Sequence, residues 1–262
     1  MRGRVFWLRL LTLLGLVTGG SALVAQRFGG GCNGCEALDA PPNPPYDGRF
    51  TYARVKFNMG GGEFGGRFRD VKWGHDYPDA DTHFPLIVKE VTSTQVRTDG
   101  SVILALDDPE LMKYPFAYLC EVGFWIPSEA EATGLRNYLL KGGFLLVDDF
   151  AGYHMLNFEE QMRKVLPEAR LIPMTADHPL YDSFYRINAI EYFGAGNLDS
   201  GPAQFLGIFE DNDPKKRLMA IVNYNFDVGE LWEYSNTGLF PIDLTNEGYK
   251  LGVNYLMYSL TH

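Results

Sequence analysis

The stretch that decides the fold is Tyr114 to Phe150, YPFAYLCEVGFWIPSEAEATGLRNYLLKGGFLLVDDF. Phe116 to Val122 is a short apolar run, as expected of a strand covered on both faces. Ser128 offers an N-cap, and Glu131, three residues on, completes a capping box. Leu135 and Leu139 share one face of the helix that follows, and Gly142-Gly143 stop it. Phe144 to Val147 is then a second buried strand, parallel to the first by the crossover rule. The unit ends on two carboxylates, Asp148 and Asp149, which strand alternation would turn to opposite sides. Ligands in open α/β sheets sit just beyond the carboxyl ends of the strands, so a site is expected here.

The flanking segments continue the alternation of strand and helix. Phe50 to Phe57, with its β-branched and aromatic residues, reads as the first strand. His83 to Val91 reads as a helix and Val102 to Leu106 as a strand. Asn157 with Glu160 repeats the N-cap pattern for a helix running to Leu166. Arg170 to Pro173 is a short strand, Tyr185 to Phe209 hairpin-like β structure, and Leu218 to Val222 another apolar strand. Tyr249, Val253, Leu256, Met257 and Leu260 recur at helical spacing, which predicts a C-terminal helix over Asn246 to Leu260. The expected fold is α/β, a doubly wound and mostly parallel sheet in a single domain, residues 49–262.

Residues 1–25 stand apart from that domain. Arg2, Arg4 and Arg9 form a basic region, Leu10 to Val17 an apolar one, and Gly19, Gly20, Ser21, Ala22 and Ala25 suit a signal-peptidase site. A cleaved signal peptide and a retained membrane anchor both fit, and either implies export: a periplasmic protein, or one anchored to the membrane by this segment alone. Residues 26–48 read as a linker rich in Gly, Cys and Pro. Its Cys32 and Cys35 suit a local disulfide in an oxidising compartment, and Glu36 in place of His excludes c-type haem attachment. Ala40 to Tyr46, APPNPPY, reads as a stiff proline-rich spacer.

At 46% hydrophobic residues among 262, the chain can bury a sizeable core. The net charge of −10 comes with no Lys/Arg cluster, which excludes a nucleic-acid role resting on phosphate neutralisation.

Six segments carry a family resemblance: FTYARVKF, WGHDYPDADTHF from Trp73, the Tyr114–Phe150 block, ADHPLYDSFY from Ala176, RLMAIVNYNFDVGELWE from Arg217, and LGVNYLMYSLTH at the end. In this order they resemble the uncharacterised bacterial family catalogued as domain of unknown function 4159. The resemblance implies a class I glutamine amidotransferase-like fold, with a flavodoxin-like doubly wound sheet. GGFLLVDD is similar to the strand end at which an amidotransferase carries its nucleophilic Cys. Here Asp148-Asp149-Phe150 stand there, and Cys120 lies on the preceding strand, so the resemblance supplies a fold without glutaminase chemistry.

The candidate site residues are Asp148, Asp149 and His178 with Asp76, Asp79, Asp81 and His83. Carboxylates and imidazoles gathered at strand ends would hold a divalent metal or act as an acid–base pair. The same side chains also suit loop capping, with Asp149 bonding the turn to Tyr153 and His178 fixing the turn at Pro179. Asn223, Asn225 and Asp227, with Tyr224 and Trp232, suit either a polar pocket or an Asn/Asp-rich turn. Gly60-x-Gly62-x-x-Gly65 imitates a dinucleotide fingerprint but opens into no helix, so it reads as a loop. The expectation is a non-enzymatic domain that binds a small polar ligand or an envelope protein. A metal-assisted or acid–base hydrolase, and a structural module of an envelope complex, are the alternatives.

Overall fold

The computed structural model describes residues 40–59, 70–187, 193, 198 and 201–262. Residues 1–25, Cys32, Cys35, the Gly60–Gly65 motif and much of Tyr185 to Phe209 therefore lie outside the described residues. No helix among the described residues is long and apolar enough to cross a membrane.

The elements are β1 (Ala53–Lys56), α1 (Asp79–Val91), β2 (Val102–Ala105), β3 (Phe116–Cys120), α2 (Glu129–Leu140), β4 (Phe144–Phe150), α3 (His154–Val165), β5 (Ile172–Pro173), β6 (Gln204–Phe209), β7 (Leu218–Tyr224), α4 (Val228–Glu233) and α5 (Ile242–Thr261). They build one seven-stranded sheet in the order β2-β1-β3-β4-β7-β6-β5. The first five are mutually parallel; β6 runs antiparallel to β7, and β5 antiparallel to β6. The chain thus leaves β1 toward one edge and resumes at β3 toward the other. At such a reversal α/β sheets place their ligand sites, here at the carboxyl ends of β1 and β3.

Alternation along the strands feeds two cores. Tyr52, Phe116, Tyr118, Phe144 and Leu146 meet Phe84 and Val88 of α1 and Val253 and Leu256 of α5. Val55, Ala117, Leu119, Leu145 and Val147 meet Leu135 and Leu139 of α2 and Phe158 and Met162 of α3. Each of the larger aliphatic and phenyl side chains, fully buried, contributes about 1.5–3 kcal/mol. The capping box forms as the sequence predicts: Ser128 Oγ accepts from Glu131 N (3.2 Å), and Glu131 accepts from Ser128 N (2.8 Å).

Several expected boundaries move. α1 starts at Asp79, four residues before His83, because Asp79 and Asp81 in its first turn suit the helix dipole. α3 starts at His154, so Asn157 is no N-cap; its amide instead donates to Val122 O (2.7 Å) and Trp125 O (2.9 Å). α5 begins at Ile242, directly after Pro241. β4 runs past Val147 to Phe150 through an irregularity that carries both aspartates.

The proline-rich arm is also more than a spacer. Asn43 accepts from Ile103 N (2.8 Å) and donates to Ile103 O (2.9 Å), standing where a neighbouring strand would pair with edge strand β2. Arg97 holds Pro45 O at 3.0 Å, and Tyr46 meets Tyr114 edge-to-face. Going from Pro45 back to Asn43, the arm climbs β2 toward its carboxyl end.

Candidate functional site

Arg54 of β1 is fully buried, and its surroundings explain how the loop after β1 is held. Its guanidinium pairs with Asp81 in the first turn of α1 and lies over the ring of Tyr118 at 4.9 Å. The same group donates to Trp73 O (3.1 Å) and His75 O (2.8 Å). A buried guanidinium without such partners would cost several kcal/mol, so charge balance and loop position are one arrangement. The described part of the loop, with His75 and Asp76, is thereby pinned over the carboxyl ends of β1 and β3.

Asp148 is saturated. Its Oδ1 accepts from Asn223 Nδ2 (2.8 Å), and its Oδ2 accepts from Val228 N (2.9 Å), Gly229 N (2.9 Å) and Tyr118 OH (3.2 Å). Tyr118 OH also lies 2.8 Å from Asp76 Oδ2, and Tyr255 OH donates to Asn223 Oδ1 at 3.0 Å. Burial first, with the charge of Asp76, raises Asp148 to about 7 against the opposing pull of these donors.

Asp149 is different. The irregularity between Val147 and Phe150 gives it φ 52°, a left-handed backbone that breaks strand alternation. Asp148 and Asp149 therefore do not diverge as alternation predicts; both carboxylates turn toward Asp76. Asp76 (φ 64°), Glu121 (φ 52°) and Asn225 (φ 57°) share the left-handed conformation, which costs a non-glycine residue about 1 kcal/mol or more. His75 Nδ1 lies 3.2 Å from Glu121 Oε1 and 3.4 Å from Asp149 Oδ2, and its Nε2 lies 2.8 Å from Asp70 Oδ1. Lys72 pairs with Glu121 (2.9 Å) and Asp70 (2.8 Å).

Two sets of potential metal-ligand atoms, each within 4.8 Å of one another, result: His75, Glu121 and Asp149, and Asp76, Asp149 and Asp227. Asp149 belongs to both. Burial first, then Asp76 and Glu121, pushes Asp149 up to about 8, opposed by its bond to His75. Burial alone would lower His75, but Asp149 and then Glu121 and Asp70 raise it to about 9. Burial followed by the charges of Asp149 and Asp76 raises Asp227 well above the usual carboxylate range. The site is an excess of buried carboxyl groups around one imidazole, and His75 keeps 30% of its side chain exposed.

The sequence candidates divide accordingly. Asp148, Asp149, Asp76 and Asp227 come together, Asp227 also capping α4 through Glu230 N at 2.8 Å. His178 does not. It caps the turn at Pro179 by accepting from Leu180 N (3.2 Å), and lies against Phe209 and Tyr258 near the amino end of β7. His83 is spent on Trp232 O at 2.9 Å. Asn225 ties Gly152 N (3.1 Å) to Pro202 O (3.1 Å), and Asn223 belongs to the Asp148 network. Trp232 is stacked on Phe84 at 4.3 Å inside the core, so it offers no platform to a ligand. His75, Glu121, Lys72 and Tyr118 were not singled out by the sequence; only the adjacency of His75 to Asp76 hinted at them.

Among curated proteins none matches this chain. Residues 51–260 match the family described as Domain of unknown function (DUF4159), and this span covers every strand, the buried Arg54 and all the clustered side chains above. The chain is a member of that family of unknown function.

Proposed function

We propose that this is an exported, amidotransferase-like domain that binds a divalent cation at the carboxyl ends of β1, β3 and β4, and through it a small polar ligand at the cell envelope. The observation that carries this is the convergence of His75 from the loop after β1, Glu121 just after β3 and Asp149 from the irregular end of β4. One imidazole and two carboxylates suit Mn²⁺ or Zn²⁺ better than Mg²⁺ or Ca²⁺, which prefer oxygen donors. The parallel order β2-β1-β3-β4-β7 supports the finer fold reading, because flavodoxin-like sheets have that order. Trp73 also walls a polar cavity of about 290 Å³ with Lys56, Asn58, Ser128 and Glu131, room for a small ligand beside the same loop.

Glutamine hydrolysis is not part of this reading. Cys120 is buried with Sγ 3.5 Å from Arg54 Nη1, and burial pushes its thiol well up, so no thiolate is on offer. A metal-assisted or acid–base hydrolase is the second reading, favoured by the contact between His75 and Asp149. Calorimetric titration with Mn²⁺, Zn²⁺, Mg²⁺ and Ca²⁺ tests the first. Saturable binding of Mn²⁺ or Zn²⁺ that His75→Ala abolishes is expected; no binding of any of the four at millimolar concentration would overturn it.

A further inference from the structure

The cation site just described uses only half of what surrounds Asp149. Asp76 and Asp227 also bring their oxygens within 4.8 Å of Asp149 and of each other, with no imidazole among them. Among the described residues the nearby cations are engaged elsewhere: Arg54 by Asp81, Lys72 by Asp70 and Glu121. His75 faces the first set.

A separate side chain points the same way. Glu233, in the last turn of α4, is 5% exposed, and its Oε1 is buried with no hydrogen-bond partner among the described residues. It stands four residues after Gly229 and so on the same helix face. Gly229 has no room for a side chain there, because Tyr118 OH and Asp76 Oδ2 fill that space. Glu233 therefore lies on the face of α4 that meets Asp76, and the charges of Asp76 and then Asp79 act on it. A buried carboxylate oxygen without a donor is costly, and one directed at further carboxylates more so. A bound cation removes both costs at once.

We infer that the site takes two divalent cations bridged by Asp149, the second held by Asp76, Asp149 and Asp227 with Glu233 beside it. This rests on the cation-binding reading above and extends it. The subsites differ in donor chemistry: the first includes imidazole, and the second is all oxygen. The second subsite accordingly favours a hard cation, Mg²⁺, Mn²⁺ or Ca²⁺, over Zn²⁺. Paired cations about 3.5–4 Å apart hold two oxygens of one ligand, which suits a phosphate ester or a carboxylate.

Manganese tests this on the intact domain, by counting bound metal and by electron paramagnetic resonance. Two equivalents with a spin-coupled spectrum are expected from the wild type. Asp227→Asn keeps an N-cap for α4. It should bind one equivalent and give the spectrum of isolated Mn²⁺, and Glu233→Gln should weaken the second equivalent about tenfold or more. His75→Ala should remove the first equivalent. One equivalent in the wild type, uncoupled and unchanged by Asp227→Asn, would overturn the pair while leaving the single-cation reading intact. No bound manganese at all would remove both. Should Asp227→Asn fail to fold, the count and coupling in the wild type decide alone.

Discussion

Asp148 and Asp149 are neighbours in the chain, yet they organise two opposite kinds of region. Around Asp148 the acceptor and its four donors balance, and two strands and α4 are tied together by one carboxylate. Around Asp149 the carboxyl groups outnumber the cations among the described residues, the backbone is left-handed, and His75 is the opposing group in contact. The first region lowers the free energy of the folded chain. The second raises it until something positive arrives. A buried acid is thus diagnosed by what its oxygens accept, since burial alone does not separate the two.

The largest effect that would break this contrast lies in the Asp148 region. Asp148→Ala leaves Asn223, Tyr118 and the first amides of α4 without an acceptor, and should cost about 3 kcal/mol or more in denaturant unfolding. A loss below about 1 kcal/mol would show that the network is not structural.

A smaller effect should appear with pH. Asp149 is raised to about 8 and His75 to about 9, so the native state holds more protons than the unfolded chain between about pH 4 and pH 9. Stability of the metal-free protein should therefore fall as pH rises through that window. A melting temperature that climbs steadily from about pH 5 to about pH 9 would contradict the charge excess.

Two further variants sharpen the comparison at the lower end. Ser128→Ala removes the α2 cap, far from both acids in character, and should cost about 1 kcal/mol with no change in cation affinity. Asp149→Asn should leave the metal-free protein within about 0.5 kcal/mol of wild type or slightly more stable, because it relieves repulsion rather than removing a tie.

The Tyr114–Phe150 unit was legible because its signals agree: an apolar run, a capping box, a helical period and a Gly-Gly stop. Asp148 and Asp149 were legible as a place, since the strand leads to them. Their division of labour was not, because it depends on a left-handed residue that strand alternation cannot anticipate. Glu121 was hidden inside the apolar run, where it reads as strand yet occupies the left-handed position just after β3. His75 sits in a loop without periodicity, and its position is set by Arg54 reaching its carbonyl from inside the sheet. Of the two readings of His178, the cap of the turn at Pro179 is the one the structure shows, and Asp-His-Pro-Leu gives no sign of which end of the sheet it occupies. The arm at Asn43 misled because proline marks an extended chain without saying what it lies against.

The most direct measurement is thermal unfolding of the wild type and Asp149→Asn, each with and without Mn²⁺. At one hundred times its dissociation constant the cation should stabilise the wild type by about 2.7 kcal/mol and leave Asp149→Asn unmoved. A flat response in both proteins, with Asp149→Asn less stable by about 1 kcal/mol or more, would make Asp149 a loop cap and contradict the account.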